Sequence, residues 1–444
     1  MDRRDFIKTA GAGALAAGVI ACTPKTKEVS IKEPQKGPEA MAHHLGSDIG
    51  LLGYGCMRWP TIKDENGDNI IDQEKVEEMV DYAIAHGVNY FDTAPVYLRG
   101  QSEAATAKAL SKYPRESYYV ATKLSNYRGE PTLKASVEMF EKSLSIFNTD
   151  YMDYYLLHNI SSIRQFERRF VSNGMMDYLL KQREEGHIRK LGFSIHADTE
   201  TFDYLMGLHD KYHWDFVQIQ MNYLDWRHAS WGEANADYMY ETLDMMQIPV
   251  IIMEPLRGGE LAEIPANLSD MLKSRTPDKS VASWAFRFCG TYPRVLTVLS
   301  GMTYIEHLKD NLDTYLDFKP LSDEELALLQ KVADEIDKYK LVPCTACNYC
   351  TPCPYGIDIP GIFKFYNTQI KDGTYVSTGE QKDFARARRK YLLSYDKAVE
   401  SVRQADHCIK CGRCASYCPQ HIDIPEMLRR IDLYVEDLKK GSLQ

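Results

Sequence analysis

Eight of the chain's 11 cysteines fall between positions 344 and 418, in two closely spaced runs. The first is Cys344-x2-Cys347-x2-Cys350-x2-Cys353-Pro354. The second is Cys408-x2-Cys411-x2-Cys414-x3-Cys418-Pro419. Their tails repeat as CPYGIDIP (353–360) and CPQHIDIP (418–425), so the segment is an internal duplication. Three thiols two residues apart let a short loop wrap one cubane, with backbone N–H groups aimed at its sulfurs. Zinc sites pair two CxxC hairpins across a longer loop, and disulfide frameworks belong to small secreted scaffolds. The spacing therefore points to two iron–sulfur clusters rather than to zinc or disulfides.

The second run is similar to the bacterial ferredoxin run C-x2-C-x2-C-x3-C-P at every position, and the first departs by one residue before its last cysteine. The resemblance implies two [4Fe–4S] clusters held by Cys344, Cys347, Cys350, Cys353, Cys408, Cys411, Cys414 and Cys418. In two-cluster ferredoxins the fourth cysteine ligates the other cluster. It thus implies one group of Cys344, Cys347, Cys350 and Cys418, and another of Cys408, Cys411, Cys414 and Cys353.

Upstream, from about 46 to 335, short β-rich runs alternate with amphipathic stretches. Strands are expected at 51–56, 88–92, 118–123, 151–158, 190–194, 216–220, 248–253 and 295–300. Between the first two, Val76, Met79, Val80 and Ala83 recur at helical spacing. Eight strand–helix units in roughly 290 residues suit a (β/α)8 barrel. A doubly wound open sheet is the runner-up, weakened by the lack of a GxGxxG fingerprint after the first strand.

In such a barrel chemistry sits at the C-terminal ends of the strands. Asp92 ends the second strand and Tyr97 follows in its loop, while Lys123 and His158 end the third and fourth. A charge after an apolar run is costly unless paired. An ammonium beside a phenol lowers the phenol pKa, a carboxylate holds the ammonium, and a histidine can orient a carbonyl. Tyr97 is then the expected acid and base of a carbonyl–alcohol interconversion.

This constellation resembles the aldo-keto reductase family, whose tetrad is Asp, Tyr, Lys and His. The strings FDTAPVY, ATKL, DYYLLH and LGYGCMR match it too, over about 50 to 315. The resemblance implies nicotinamide contacts at Ser194 and Gln218 and phosphate contacts at Gly301 and Asn311. Ile195 and Met253 depart from the family's asparagine and stacking tyrosine. Met302 and His307 stand where NADPH-binding members carry Lys and Arg, and a 2′-phosphate wants fixed positive charge. NADH, a weakly held nucleotide and no nucleotide all stay open. Cys56 and Cys289 read as buried structural thiols. His196, after the fifth strand, reads as a loop residue or a substrate contact.

The N-terminus reads as an address. Arg3-Arg4 with Asp5-Phe6-Ile7-Lys8 precede a weakly apolar stretch and resemble a twin-arginine export signal. Val19-Ile20-Ala21-Cys22 resembles a lipobox, with Cys22 the lipid-bearing residue. That route exports folded proteins, which suits a chain that must first fold around clusters. The expected layout is a signal at 1–22, a tether at 23–45, the barrel at 46–335 and a small α-helical ferredoxin-like domain at 336–444. The expected location is membrane-anchored on the periplasmic or outer side, with the cytoplasm as alternative.

The net charge of −10 opposes a nucleic-acid role. No apolar run reaches the ~18 residues of a membrane-spanning helix. Arg386, Arg388, Arg389 and Lys390 form a basic cluster, either a solvated helix face or a dock for an acidic electron-transfer partner. The expected activity is an oxidoreductase acting on a small carbonyl or alcohol, with clusters passing electrons to or from a one-electron partner. The alternative is an electron-transfer or scaffold protein whose barrel has lost hydride chemistry.

Overall fold

The computed structural model describes residues 33–34, 36–127, 130–229 and 232–443. The twin-arginine segment and Cys22 lie outside these residues. Eight parallel strands close a barrel in which neighbours in sequence are neighbours in space. They are β1 (Leu52–Gly55), β2 (Tyr90–Asp92), β3 (Tyr119–Leu124), β4 (Met152–Ile160), β5 (Ile188–Ile195), β6 (Phe216–Gln220), β7 (Val250–Met253) and β8 (Val295–Ser300). β1 pairs with both β2 and β8, which closes the ring and leaves no edge. All eight strands lie within two residues of where the alternation predicts them.

The principal helices α1 (Gln73–Ala85), α2 (Ser102–Leu110), α3 (Leu133–Phe147), α4 (Met175–Glu184), α5 (Thr199–Gly207), α6 (Ala236–Met245), α7 (Val281–Gly290) and α8 (Ile305–Tyr315) ring the barrel. In α1 the Asp72 side chain caps the start by accepting from Lys75 N–H, and Val76, Met79, Val80 and Ala83 form the buried face. Inside the barrel, Tyr90, Tyr154 and Phe216 stack edge to face with centroids 5.0–5.1 Å apart and fill the interior. A packed interior leaves the strand ends as the only place for a pocket.

The last residues of the expected tether, among those described, lie against the barrel. From Pro38 the chain packs under the barrel: Met41 is buried and forms a bridge with Leu316, and Leu51 N–H donates to Ala42 O. The apolar Met41 decides this, because a hydrophobic anchor within a polar stretch gains by burial.

After α9 (Asp323–Asp337) the chain builds a second, separate core. Its helices are α10 (Ile359–Lys371), α11 (Phe384–Ala398) and α12 (Ile424–Lys440). The duplicated I-D-I-P motif acts alike in both copies. Asp358 accepts from Gly361 N–H and Asp423 from Glu426 N–H, each followed by proline in the first turn. This helical region carries the eight cysteines and rests on the C-terminal ends of the barrel strands.

Candidate functional site

The ends of β2, β3 and β4 bring Asp92, Lys123 and His158 together, and the turn after β2 adds Tyr97. All four are buried. Lys123 Nζ donates to Asp92 Oδ1 at 2.5 Å and to Thr93 O at 2.8 Å, and lies 5.0 Å from the centroid of the Tyr97 ring. Tyr97 meets His158 edge to face at 5.8 Å. The four residues chosen from sequence thus surround one point.

At the Tyr97 phenol the pKa shifts upward overall, against the lowering expected from Lys123. Burial drives that pKa well above its ordinary value, the Asp92 carboxylate and Tyr127 push the same way, and a hydrogen bond with Tyr349 pulls modestly back. The ammonium lies over the ring and its charge is matched by Asp92. Burial also lowers the pKa of Lys123 against the pull of Asp92. His158 is held far below its ordinary pKa, first by burial and then by the charges of Lys123 and Arg169, so its imidazole is neutral. Its Nδ1 lies 2.5 Å from Ser125 Oγ.

Four residues that sequence reasoning missed complete the pocket. Ser125 sets the His158 ring. Arg169, fully buried, donates to His158 O at 2.6 Å, Asn159 O at 3.1 Å and Asn126 Oδ1 at 3.0 Å, and so ties the ends of β3 and β4 together. Tyr127 lies edge to face with His158 at 5.5 Å and under the Arg169 guanidinium at 5.4 Å. Tyr349 comes from the first cysteine run, between Cys347 and Cys350, and its hydroxyl is 3.5 Å from His158 Nε2. No local pattern marks Arg169 or Tyr349, because their partners are distant in sequence.

The cysteine region is docked on this mouth by specific contacts. Gln220, at the end of β6, and Gln420 exchange two hydrogen bonds of 2.7 and 3.2 Å, both buried. His421 Nε2 donates to His196 O at 2.8 Å, which accounts for His196 as an interface residue. Lys371 donates to Glu260 O and Glu263 O. Arg58 Nη2 donates to Thr345 O at 2.6 Å. Gly258 has φ +68°, and a Cβ there would lie 2.2 Å from Thr345 O, so only glycine allows the cluster loop this close.

Cys344, Cys347, Cys350 and Cys418 line one pocket, walled by Ile359, Pro360, Phe363, Ile422 and Ile424. This is the crossed grouping implied by the ferredoxin resemblance. Cys408 and Cys353 are the thiol neighbours of Cys414 in the second group, and Cys411 is exposed. Burial pushes the Cys344 thiol up to about 11 and that of Cys347 up to about 12. Thiolates in such a place need bound cations, as an iron–sulfur cluster supplies. None of the ten described cysteines is in a disulfide. Cys56 and Cys289 are buried thiols within the barrel's shell, as expected.

The expected nucleotide contacts divide. Gln218, buried, donates to Met253 Sδ and leaves its Oε1 without a partner, which fits an amide donor. Ser194 Oγ accepts from Asn159 N–H at 2.8 Å. At the phosphate end the Asn311 side chain donates to Ser300 Oγ at 2.8 Å. Gly301 lies under Arg58, whose Cδ would be 2.9 Å from an added Cβ. The same Arg58 is held by the cluster loop.

Comparison with known proteins agrees with this anatomy. The aldo/keto reductase family model matches residues 51–334, and a 4Fe-4S dicluster domain model matches residues 343–422. An uncharacterized oxidoreductase, YqkF, of Bacillus subtilis is 27% identical over 329 residues, covering 66% of this chain and 95% of its own. L-galactose dehydrogenase of Arabidopsis thaliana is 24% identical over 315 residues, covering 66% and 91%. Among solved structures, an aldo-keto reductase of Bacillus halodurans in its holo form shares the fold with a TM-score of 0.52 and 24% identity, over 66% of this chain and 95% of that one. An aldo-keto reductase of Klebsiella pneumoniae in complex with NADPH has a TM-score of 0.51 and 23% identity, over 64% and 91%.

Proposed function

The chain belongs to the aldo/keto reductase family and is an oxidoreductase with a 4Fe-4S dicluster domain, and from that premise we propose that it interconverts a small carbonyl and its alcohol at the barrel mouth, with Tyr97 as acid and base. One observation carries the reading. The loop that would hold the first cluster enters the tetrad pocket, where Tyr349 reaches His158. Cluster and barrel are thus parts of one site.

In reduction, the substrate oxygen lies between the Tyr97 hydroxyl and His158 Nε2. With the Ser125 hydroxyl donating to Nδ1, Nε2 carries the proton and orients that oxygen. Tyr97 gives its proton to the oxygen as negative charge develops. Lys123, held by Asp92 and Thr93, then offsets the phenolate. The reduction takes two electrons and two protons in all. Cys344, Cys347, Cys350 and Cys418, and Cys408, Cys411, Cys414 and Cys353, would hold iron–sulfur clusters, which would supply or accept electrons one at a time. The partner outside is a one-electron carrier. The basic residues Arg386, Arg389 and Lys390 on α11 suit an acidic one.

A second reading, with a nicotinamide nucleotide as hydride donor, is favoured by the unpartnered Gln218 Oε1. Against it stands the position of Arg58 over Gly301. We further propose that the chain is exported by the twin-arginine route and anchored through lipid on Cys22. The supporting feature is the sequence RRDFIK followed by Val-Ile-Ala-Cys.

The test is a screen of carbonyls and alcohols on anaerobically purified protein, with NADH, NADPH and artificial one-electron carriers in parallel. Turnover with one-electron carriers alone supports the first reading, and turnover with nucleotide alone supports the second. Under the working carrier, Tyr97→Phe should lose nearly all turnover while substrate still binds. Wild-type turnover in Tyr97→Phe overturns the assignment and favours a barrel that serves as scaffold.

A further inference from the structure

The oxygen position of the tetrad is already filled, by the chain itself. On the reading above, a substrate oxygen has to stand within hydrogen-bonding reach of both the Tyr97 hydroxyl and His158 Nε2. One hydroxyl of the protein stands in this place. The Tyr349 hydroxyl is 3.5 Å from His158 Nε2, at the outer edge of hydrogen-bonding distance, and lies near enough to Tyr97 to ease its ionisation. The Tyr349 ring lies beside Tyr127, with centroids 6.2 Å apart and planes inclined by 38°, and edge to face with His158 at 6.4 Å. Its backbone belongs to the loop between Cys347 and Cys350. That loop is pinned by the Arg58 bond to Thr345 O and by the close approach at Gly258.

We propose that Tyr349 is a resident occupant of the substrate's oxygen site, and that the ligand taken when it withdraws carries its oxygen on an aromatic ring, as a phenol or an aryl carbonyl. The proposal rests on the roles assigned to Tyr97 and His158. Its physical basis is that the pocket already holds a phenol. The oxygen of Tyr349 meets His158 Nε2, and its ring packs beside Tyr127 and against the edge of His158. Aromatic edges and faces favour a flat ring over a puckered one of the same size. A tethered phenol at this point also competes with substrate, so the position of the cluster loop sets how readily substrate enters.

The experiment measures binding by calorimetry on the cluster-loaded full chain, with phenol as probe and cyclohexanol as the non-aromatic control. Tyr349→Ala vacates both ring and oxygen positions. It should bind phenol about tenfold more tightly than the wild type does, and about tenfold more tightly than it binds cyclohexanol. Iron content equal to wild type verifies that the loop is intact. Unchanged phenol affinity, or equal affinity for cyclohexanol, overturns the proposal. If Tyr349→Ala loses its iron, Tyr349→Phe takes its place. That variant frees the oxygen position alone, and acetate, small enough to enter beside the ring, should bind several-fold more tightly than to wild type; no gain overturns the proposal. Binding is read without turnover. A failure here, with Tyr97→Phe still inactive, removes only the role of Tyr349. Retained turnover in Tyr97→Phe removes the catalytic reading instead.

Discussion

Lys123 Nζ donates to Asp92 Oδ1 across 2.5 Å, and neither side chain is more than a few per cent exposed. Each is the charge that makes burial of the other tolerable. Lys123→Met leaves the Asp92 carboxylate uncompensated and should cost about 3–5 kcal/mol in chemical denaturation, together with most turnover. Asp92→Asn should be milder in both, because an amide oxygen and the Thr93 carbonyl still accept from Lys123 and keep it beside Tyr97. Equal stability losses in the two variants would contradict this asymmetry.

The pH profile follows from the raised Tyr97 pKa. A phenol held above its ordinary value of about 10 keeps its proton over the whole neutral and mildly alkaline range. In the reduction direction the proton donor is therefore present until pH exceeds about 10, and turnover should show no alkaline decline below that point. Tyr349→Phe removes a hydrogen bond that favours the phenolate, so any alkaline limb should move further up. A limb near pH 7 that disappears in Tyr97→Phe would show that the phenol is acidified instead.

Metal content tests the crossed grouping. Anaerobically purified protein should carry about eight iron and eight acid-labile sulfide per chain. Cys418→Ser lies in the second run yet lines the cavity of the first, so it should perturb the same cluster as Cys344→Ser. Cys353→Ser should pair with Cys414→Ser. Electron paramagnetic resonance of the reduced variants separates the two patterns. Pairing within each run, or zinc in place of iron, would refute it.

Export is tested by fractionation. Native protein should be found with membranes, and replacing Arg3 and Arg4 with Lys should retain it in the cytoplasm. Cys22→Ala should release it from the membrane. A native protein already soluble in the cytoplasm would remove both the signal and the anchor from the account.

Much of this molecule is local and so was legible in the chain. The alternation of strand and helix announces a barrel because each period reflects which face is buried. The cysteine runs announce clusters because ligand spacing is set by the size of the cubane. The crossed grouping of Cys418 with Cys344 was expected only from the resemblance to two-cluster ferredoxins, and the two thiols line one pocket. Asp92, Tyr97, Lys123 and His158 could be chosen because a parallel barrel sends every strand end to one mouth.

What the chain's order left undetermined is what covers that mouth. Tyr349 meets His158 across 191 positions, and Gln420 meets Gln220 across 200. Arg169 donates to the carbonyls of His158 and Asn159, 11 and 10 positions away. The direction of the Tyr97 shift was decided there as well. Sequence supplies the ammonium beside the phenol, but burial by Tyr127, Tyr349 and the docked loop outweighs it. Residue types and spacings thus determined the barrel, the tetrad and the ligands. Only the packing of the cluster region on the strand ends decided the charge balance and the oxygen site, because desolvation depends on neighbours the chain reaches last.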